Sequence, residues 1–238
     1  MLVTASRTRQ RRPAVAIAPV SVSISHAMAV VPTAWGSCGL VWKNREGPAA
    51  DSFVQHSSAL LCRIFTPGQS LPELRRSMQR AVPGCSEVIG DRRGNFHPEV
   101  VPSWFNDMVA YLQSYYAADL CDWTRGQFTD NWSFWHPRLD WSQVTPFQKK
   151  VLEVVAAIPS GKKMTYGQVA ACIGKPAASR AVGAAIGSNP WPVLVPCHRV
   201  IGSTGKLTGF SAPGGIEAKR RMLEMENGEL WRLGSGGK

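Results

Sequence analysis

The last third of the chain is punctuated so regularly that few folds remain open to it. Thr145-Pro146-Phe147-Gln148 and Thr165-Tyr166-Gly167-Gln168 each pair a Thr with a Gln three residues on. At that spacing each side chain reaches the other residue's backbone N–H and fixes a helix start. The first signature opens a helix whose Phe147, Val151, Val154, Val155 and Ile158 share one apolar face, stopped by Pro159-Ser160-Gly161. The second opens a short helix through Val169, Ala170 and Ile173 that closes at Gly174; Pro176 then opens another, Ala177 to Ile186. Two brief helices joined by a Gly-containing turn make a helix-turn-helix, with the second as candidate recognition helix. Pattern alone leaves this open, because many helical hairpins bind nothing.

The chemistry concentrates just downstream, in Val193-Leu194-Val195-Pro196-Cys197-His198-Arg199-Val200. A thiolate is the reactive form of cysteine, and a neighbouring His can take its proton, so Cys197 is a candidate nucleophile with His198 as base. A Cys after a Val-Leu-Val strand is also an ordinary small core residue. Adjacent strand side chains point to opposite faces, so the pair cooperates only if the chain turns there or a water bridges them. Pro192 and Pro196 supply such breaks.

Thr145 to Trp231 resembles the alkylguanine-DNA alkyltransferases, the methylated-DNA–protein-cysteine methyltransferase family. The resemblance rests on Pro-Cys-His-Arg-Val at 196–200, Asn-Pro-x-Pro at 189–192, Thr165-Tyr166-Gly167-Gln168-Val169-Ala170 and Ser179-Arg180-Ala181-Val182-Gly183-Ala184. It implies an α/β protein: a small α/β amino-terminal domain, then a mainly α helix-turn-helix domain carrying the active-site cysteine. It implies DNA repair by single, irreversible transfer of an alkyl group from the 6-oxygen of guanine to Cys197. Glu226 would orient His198, and Tyr166 would help turn the nucleotide out and donate to the leaving guanine. Arg180 would fill the space left in the duplex, on a helix whose Ala177, Ala178, Ser179 and Gly183 permit close approach to the minor groove. Pro192, Val200, Phe210, Ser211 and Lys219 would line the base pocket, and Asn189 would brace the helix-turn-helix against the active-site strand. Phe210 stands where the family has Tyr, and Ala212-Pro213 is an insertion before Gly214-Gly215, which leaves the alkyl preference open. Without the resemblance, Lys219 and Glu226 read as solvated residues of a terminal helix and the Gly-rich stretch 202–211 as a surface loop.

Earlier residues bear on support rather than chemistry. Residues 1–33 read as a disordered or mis-assigned extension with Met28 as an alternative start; Pro13, Pro19 and recurrent Ser break its apolar run too often for a membrane span. Residues 34–141 read as the α/β domain with an aromatic-rich linker, and 142–233 as the DNA-binding and transfer domain. Strands are expected at Cys38 to Trp42 and Ala59 to Phe65. Helices are expected from Ser70 to about Ala81 and after Ser103, where Trp104, Met108, Leu112 and Tyr115 recur at helical spacing. Trp123, Phe128, Trp132, Phe134, Trp135 and Trp141, interleaved with Arg125 and Arg138, could stack on unpaired bases, but packing between the domains is the favoured reading.

The 238 residues carry a net charge of +11; six Lys or Arg precede Glu46, the first acidic residue, so the rest of the chain supplies +11 − 6 = +5. That is a modest polyanion preference. The six cysteines have no regular spacing, which suits a reducing compartment, the bacterial cytoplasm or a eukaryotic nucleus. Cys38, Cys62, Cys85 and His56 lack the close pairs of a zinc site, so no metal is expected. No cofactor is needed, and double-stranded DNA with an alkylated guanine is the expected partner of a monomer. Two other classes compete. An alkylguanine-sensing module would recognise damage without transfer, but such proteins lack the Cys. A Cys-His-Glu hydrolase would need an oxyanion hole that nothing in the sequence specifies.

Overall fold

The computed structural model describes residues 26–44, 59–91, 95–117 and 132–227. Strand β1 (His26–Thr33) turns tightly into β2 (Gly36–Lys43), and β2 pairs with β3 (Leu60–Phe65), both antiparallel. Helix α1 (Leu71–Ala81) follows, then β4 (Ser86–Glu87), which pairs parallel to β1, so the sheet order is β3-β2-β1-β4. Ser70 donates its backbone N–H to Glu73 at 3.0 Å and so starts α1 where the sequence expects it.

One expectation is corrected here. Residues 26–33, assigned to the extension, are a full strand; residues 1–25 lie outside the described residues. The physical reason is that β1 pairs with β2 along its entire length and is buried on both sides. Ala27, Ala29 and Val31 face a large core containing helix α2 (Phe105–Ala117), while Met28 faces a smaller one under α1. A strand covered on both faces reads as a continuous apolar run, without the alternation that marks an exposed sheet.

The second half begins with a short turn of helix, α3 (Trp132–Trp135), and then α4 (Pro146–Ala156). Strand β5 (Met164–Thr165), α5 (Tyr166–Cys172), α6 (Ser179–Gly187), β6 (Val200–Ile201) and α7 (Gly215–Glu226) complete it. Both Thr–Gln signatures form as reciprocal caps: Gln148 N–H donates to Thr145 Oγ1 at 3.2 Å, and Gln168 N–H to Thr165 Oγ1 at 3.1 Å. The recognition helix is shorter than expected, since Pro176–Ala178 is a tight 3-10 turn and α6 starts at Ser179.

The halves share one core, which runs from the sheet through α2 to Val151, Val155, Val182, Trp191 and Cys197. The free edge of β3 is closed by the second half. Ile64 N–H donates to Pro190 O at 2.9 Å, the Trp191 indole to Leu61 O at 2.9 Å, and Asp140 N–H also to Leu61 O at 3.0 Å. The aromatic stretch serves this junction: Trp141 meets Trp191 at 4.8 Å and Trp135 meets Tyr111 at 6.3 Å. Trp123, Arg125 and Phe128 lie outside the described residues. Cys38, Cys62 and Cys85 are buried, and burial pushes the Cys62 thiol up to about 12; His56 is likewise outside the described residues. Among the described residues no helix is long and apolar enough to cross a membrane.

Candidate active site

The apolar run before Cys197 is a turn rather than the expected strand. Asn189 Oδ1 accepts the Trp191 N–H at 3.0 Å, and Asn189 Nδ2 donates to Val195 O at 2.8 Å, which ties the two ends of the Pro190-Trp191-Pro192 segment together. Val193 is forced to φ 77°, a left-handed backbone conformation that β-branched residues avoid. Such a residue costs about 1–3 kcal/mol and persists only where its surroundings fix it. Cys197–Arg199 then forms a 3-10 turn. The strand's alternation is thereby broken, and Cys197 and His198 are both buried. Asn189 braces this turn where the resemblance implied a strand.

His198 is held from one side. Its Nε2 lies 2.7 Å from Glu226 Oε1 and 3.3 Å from the Tyr115 hydroxyl, which itself reaches Glu226 Oε1 at 3.4 Å. With a carboxylate at Nε2, that nitrogen carries the proton, so the lone pair sits on Nδ1, which is buried and without a hydrogen-bond partner. Arg199 clamps the same carboxylate, Nε to Oε2 and Nη2 to Oε1, both at 2.8 Å, and its Nη1 donates to Ile158 O at 2.5 Å. Burial works against the Glu226 charge, but His198 and Arg199 outweigh it and hold the carboxyl at about 2. Burial also pushes the Cys197 thiol up, opposed by Asn189 and Lys219, and pulls the His198 imidazole down against Glu226. The resting pair is therefore a neutral thiol and a neutral imidazole with its basic nitrogen fixed. It can generate a thiolate by proton transfer without separating charge in advance.

Cys197 opens into a cavity of about 470 Å³ lined by Tyr166, Gly183, Thr208, Gly209 and Ser211. Tyr166 donates its hydroxyl to Thr208 O at 3.3 Å, and burial raises its ionisation, so it stays protonated. Gly183 packs beside the Tyr166 ring, which an added Cβ would meet at 3.8 Å, an ordinary van der Waals contact. Lys219, read as solvated from the sequence alone, is wholly buried; its Nζ donates to Val200 O at 2.6 Å and Thr208 O at 3.1 Å, joining β6 to the loop over the cavity. Glu226 is equally sequestered, its side chain 1% exposed. Both were misread because α7 presents a mixed pattern in which only the tertiary partners show which polar residues turn inward. Phe210 borders the cavity, and Ser211 donates its hydroxyl to Gly187 O at 2.7 Å, fastening that loop to α6. Pro192 lies instead on a neighbouring cavity that also touches Cys197.

Of the residues expected to face DNA, Gly183 lines this cavity and the other four are not brought into it. Ala177 and Arg180 are exposed and Ala178 and Ser179 half-buried, on the outer rim of the helix-turn-helix, with Arg180 free of hydrogen-bond and ion-pair partners among the described residues. Sequence reasoning missed Arg199 and Tyr115. Arg199 sits inside the Pro-Cys-His-Arg-Val motif and was legible by position; Tyr115 carried only the periodicity of a core helix.

Comparison with known proteins fits this geometry. Residues 146–228 match the family described as 6-O-methylguanine DNA methyltransferase, DNA binding domain. The methylated-DNA–protein-cysteine methyltransferase of Salmonella typhimurium is 54% identical over 82 residues, 34% of this chain and 47% of that protein. The chain thus spans about half the length of that relative. The protein of the same name from Mycobacterium bovis is 42% identical over 125 residues, 52% of this chain and 67% of that one. The crystal structure of Mycobacterium tuberculosis OGT in complex with DNA superposes with a TM-score of 0.52 at 27% identity, covering 85% of this chain and 93% of that one. An α/β half closed onto a helix-turn-helix half with a motif cysteine between them is the architecture of the O6-methylguanine methyltransferases. The chain belongs to the methylated-DNA–protein-cysteine methyltransferase family.

Proposed function

We propose that this protein repairs double-stranded DNA by moving an alkyl group, in the simplest case a methyl, from the 6-oxygen of a guanine onto Cys197. His198 takes the thiol proton at Nδ1 by way of a bridging water, while Glu226, clamped by Arg199 and hydrogen-bonded to Tyr115, keeps the imidazole in that tautomer. The thiolate attacks the alkyl carbon in line; the S–C bond forms, the C–O bond breaks, and the electron pair leaves on guanine. Tyr166 supplies a proton to the departing ring and is returned to its neutral form by the proton that left the thiol. Arg180 enters the duplex from α6, whose Ala177, Ala178, Ser179 and Gly183 allow the backbone near the minor groove. Val200, Ser211 and Lys219 shape the pocket for the extruded base.

The observation that carries this reading is the conjunction at Cys197. A buried thiol, beside an imidazole whose basic nitrogen is fixed by a carboxylate, opens into a cavity walled by the helix that a DNA-binding domain would present. The names of the relatives, and the DNA bound by the mycobacterial OGT, support the same assignment. Among the described residues none is positioned to hydrolyse a thioether, so each molecule acts once. One copy of the chain holds every residue invoked, and a free thiol of this kind is suited to a reducing cytoplasm or nucleus. The test is the intact mass of the protein after mixing with a duplex bearing one O6-methylguanine. A gain of one methyl, mapped to Cys197 and absent from Cys197→Ala, is expected; binding without mass gain would make the protein a damage sensor instead.

A further inference from the structure

The loop over the base cavity is tied down from both halves of the molecule. Residues 202–214 join β6 to α7 without helix or strand, and each of them is half-buried or exposed. A segment with so little buried surface keeps its position only through the few contacts that hold it. On the side of the second half, Thr208 O accepts from Tyr166 at 3.3 Å and from Lys219 at 3.1 Å, and Ser211 donates to Gly187 O at 2.7 Å. The Ser211 bond is exposed, so water competes for both partners and it holds the loop weakly by itself. A further contact crosses to the amino-terminal half, where Pro213 packs against Gly68 in the connection from β3 to α1.

That contact leaves room for a hydrogen and nothing larger. A Cβ on Gly68 would lie 3.0 Å from Pro213 Cβ, 3.5 Å from its carbonyl carbon and 3.6 Å from its carbonyl oxygen. Gly68 also adopts φ 118°, a conformation that favours glycine, so contact and backbone make the same demand of this position. Pro213 belongs to the inserted Ala212-Pro213 pair and follows the Phe210-Ser211 wall directly. Phe210 and Ser211 line both cavities that border Cys197, the one of about 470 Å³ and a second of about 370 Å³ between the halves. A group on the reacting carbon lies beside this wall whichever of the two spaces it enters.

We propose that the contact between Pro213 and Gly68 is a specificity determinant: by fixing the Phe210-Ser211 wall from the other half, it restricts transfer to small alkyl groups. The inference rests on the alkyl-transfer reading above and concerns which substrates that site accepts. A methyl ends at the carbon that Sγ attacks, so it makes no demand on the wall. A butyl group carries three more carbons that need space beside Phe210 and Ser211. The wall yields that space only if the loop swings, and Pro213 lodged against Gly68 opposes the swing. Apolar groups differing by a few methylenes are separated by the shape and give of the wall around them.

The experiment measures single-turnover transfer, read by intact mass of the full chain, from duplexes bearing O6-methylguanine or O6-butylguanine. Dividing the butyl rate by the methyl rate within each protein cancels effects common to both substrates, such as duplex affinity or folded fraction. Pro213→Gly removes the contacting Cβ and should raise that ratio about tenfold, with methyl transfer within about twofold of the unaltered protein. Methyl transfer thus doubles as the check that each variant is folded. Gly68→Ala places a Cβ where Pro213 already lies. It should shift the ratio in the unaltered background and lose that effect once Pro213→Gly has vacated the space, the non-additivity of residues in contact. An unchanged ratio in Pro213→Gly, or an equal Gly68→Ala effect in both backgrounds, would overturn the proposal. Absence of methyl transfer in the unaltered protein would instead sink the parent reading, and this one with it, an outcome the ratios cannot produce.

Discussion

Glu226 is surrounded by donors from four residues, one of them the Gly161 backbone N–H at 3.5 Å, that lie in separate parts of the sequence. His198, Arg199 and the Tyr115 hydroxyl converge on it from a 3-10 turn and from a helix of the other half. Because its carboxyl is held at about 2, below the ordinary 4.5, its contribution to stability is complete above pH 4.5 and is lost as pH falls from there towards 2. A shift of that size corresponds to on the order of 3 kcal/mol. Urea unfolding of the protein and of Glu226→Gln across this range should show a stability gap that is largest at neutral pH and narrows on acidification; a gap independent of pH would refute the pairing. Tyr115→Phe removes the hydroxyl and keeps the ring. Methyl transfer should slow by roughly tenfold, the worth of one good hydrogen bond, and its pH dependence should move, while duplex affinity stays unchanged. Loss of duplex affinity along with rate would point to a general packing defect.

The helix starts at Thr145 and Thr165 were legible in the chain because they are local. A Thr and a Gln three residues apart satisfy each other's backbone, and no distant residue has a vote. Strand β1 and the segment before Cys197 were not, because both are apolar runs whose fate depends on partners far away: β1 on β2 and two cores, the Val193-Leu194-Val195 run on the side chain of Asn189. The nucleophile and base were readable from one motif, whereas burial of Lys219 and the Tyr115 contact emerge only once α7 and α2 are in place. The Asn189 turn offers a direct test. Asn189→Ala deletes one acceptor and one donor that hold Val193 in its strained conformation, and should destabilise the fold by about 2–3 kcal/mol and slow methyl transfer, read by urea midpoint and mass gain. On α6, Arg180→Ala should slow transfer from duplex DNA at least about tenfold and leave reaction with the free alkylated base unchanged, since only the duplex needs a nucleotide extruded. Equal slowing on both substrates would place Arg180 in folding rather than in DNA handling.

For the whole molecule, charge and the junction between halves set the behaviour. With a net charge of +11, affinity for undamaged duplex should fall by about a hundredfold or more between 50 and 200 mM salt, measured by fluorescence anisotropy. A shallow dependence would mean that few cations face the phosphates. The shared core predicts that both halves unfold in one transition. The closing of β3 has a further consequence, at the ribosome. The Trp191 indole caps a carbonyl 130 residues earlier in the chain. At about 5–20 residues per second, that edge waits roughly 7–26 s for its cover during synthesis. Through that interval an apolar strand end is open to any other nascent strand. Yield in cells should therefore depend on translation speed and on chaperones that shield unpaired edges, more than on the stability of the finished protein.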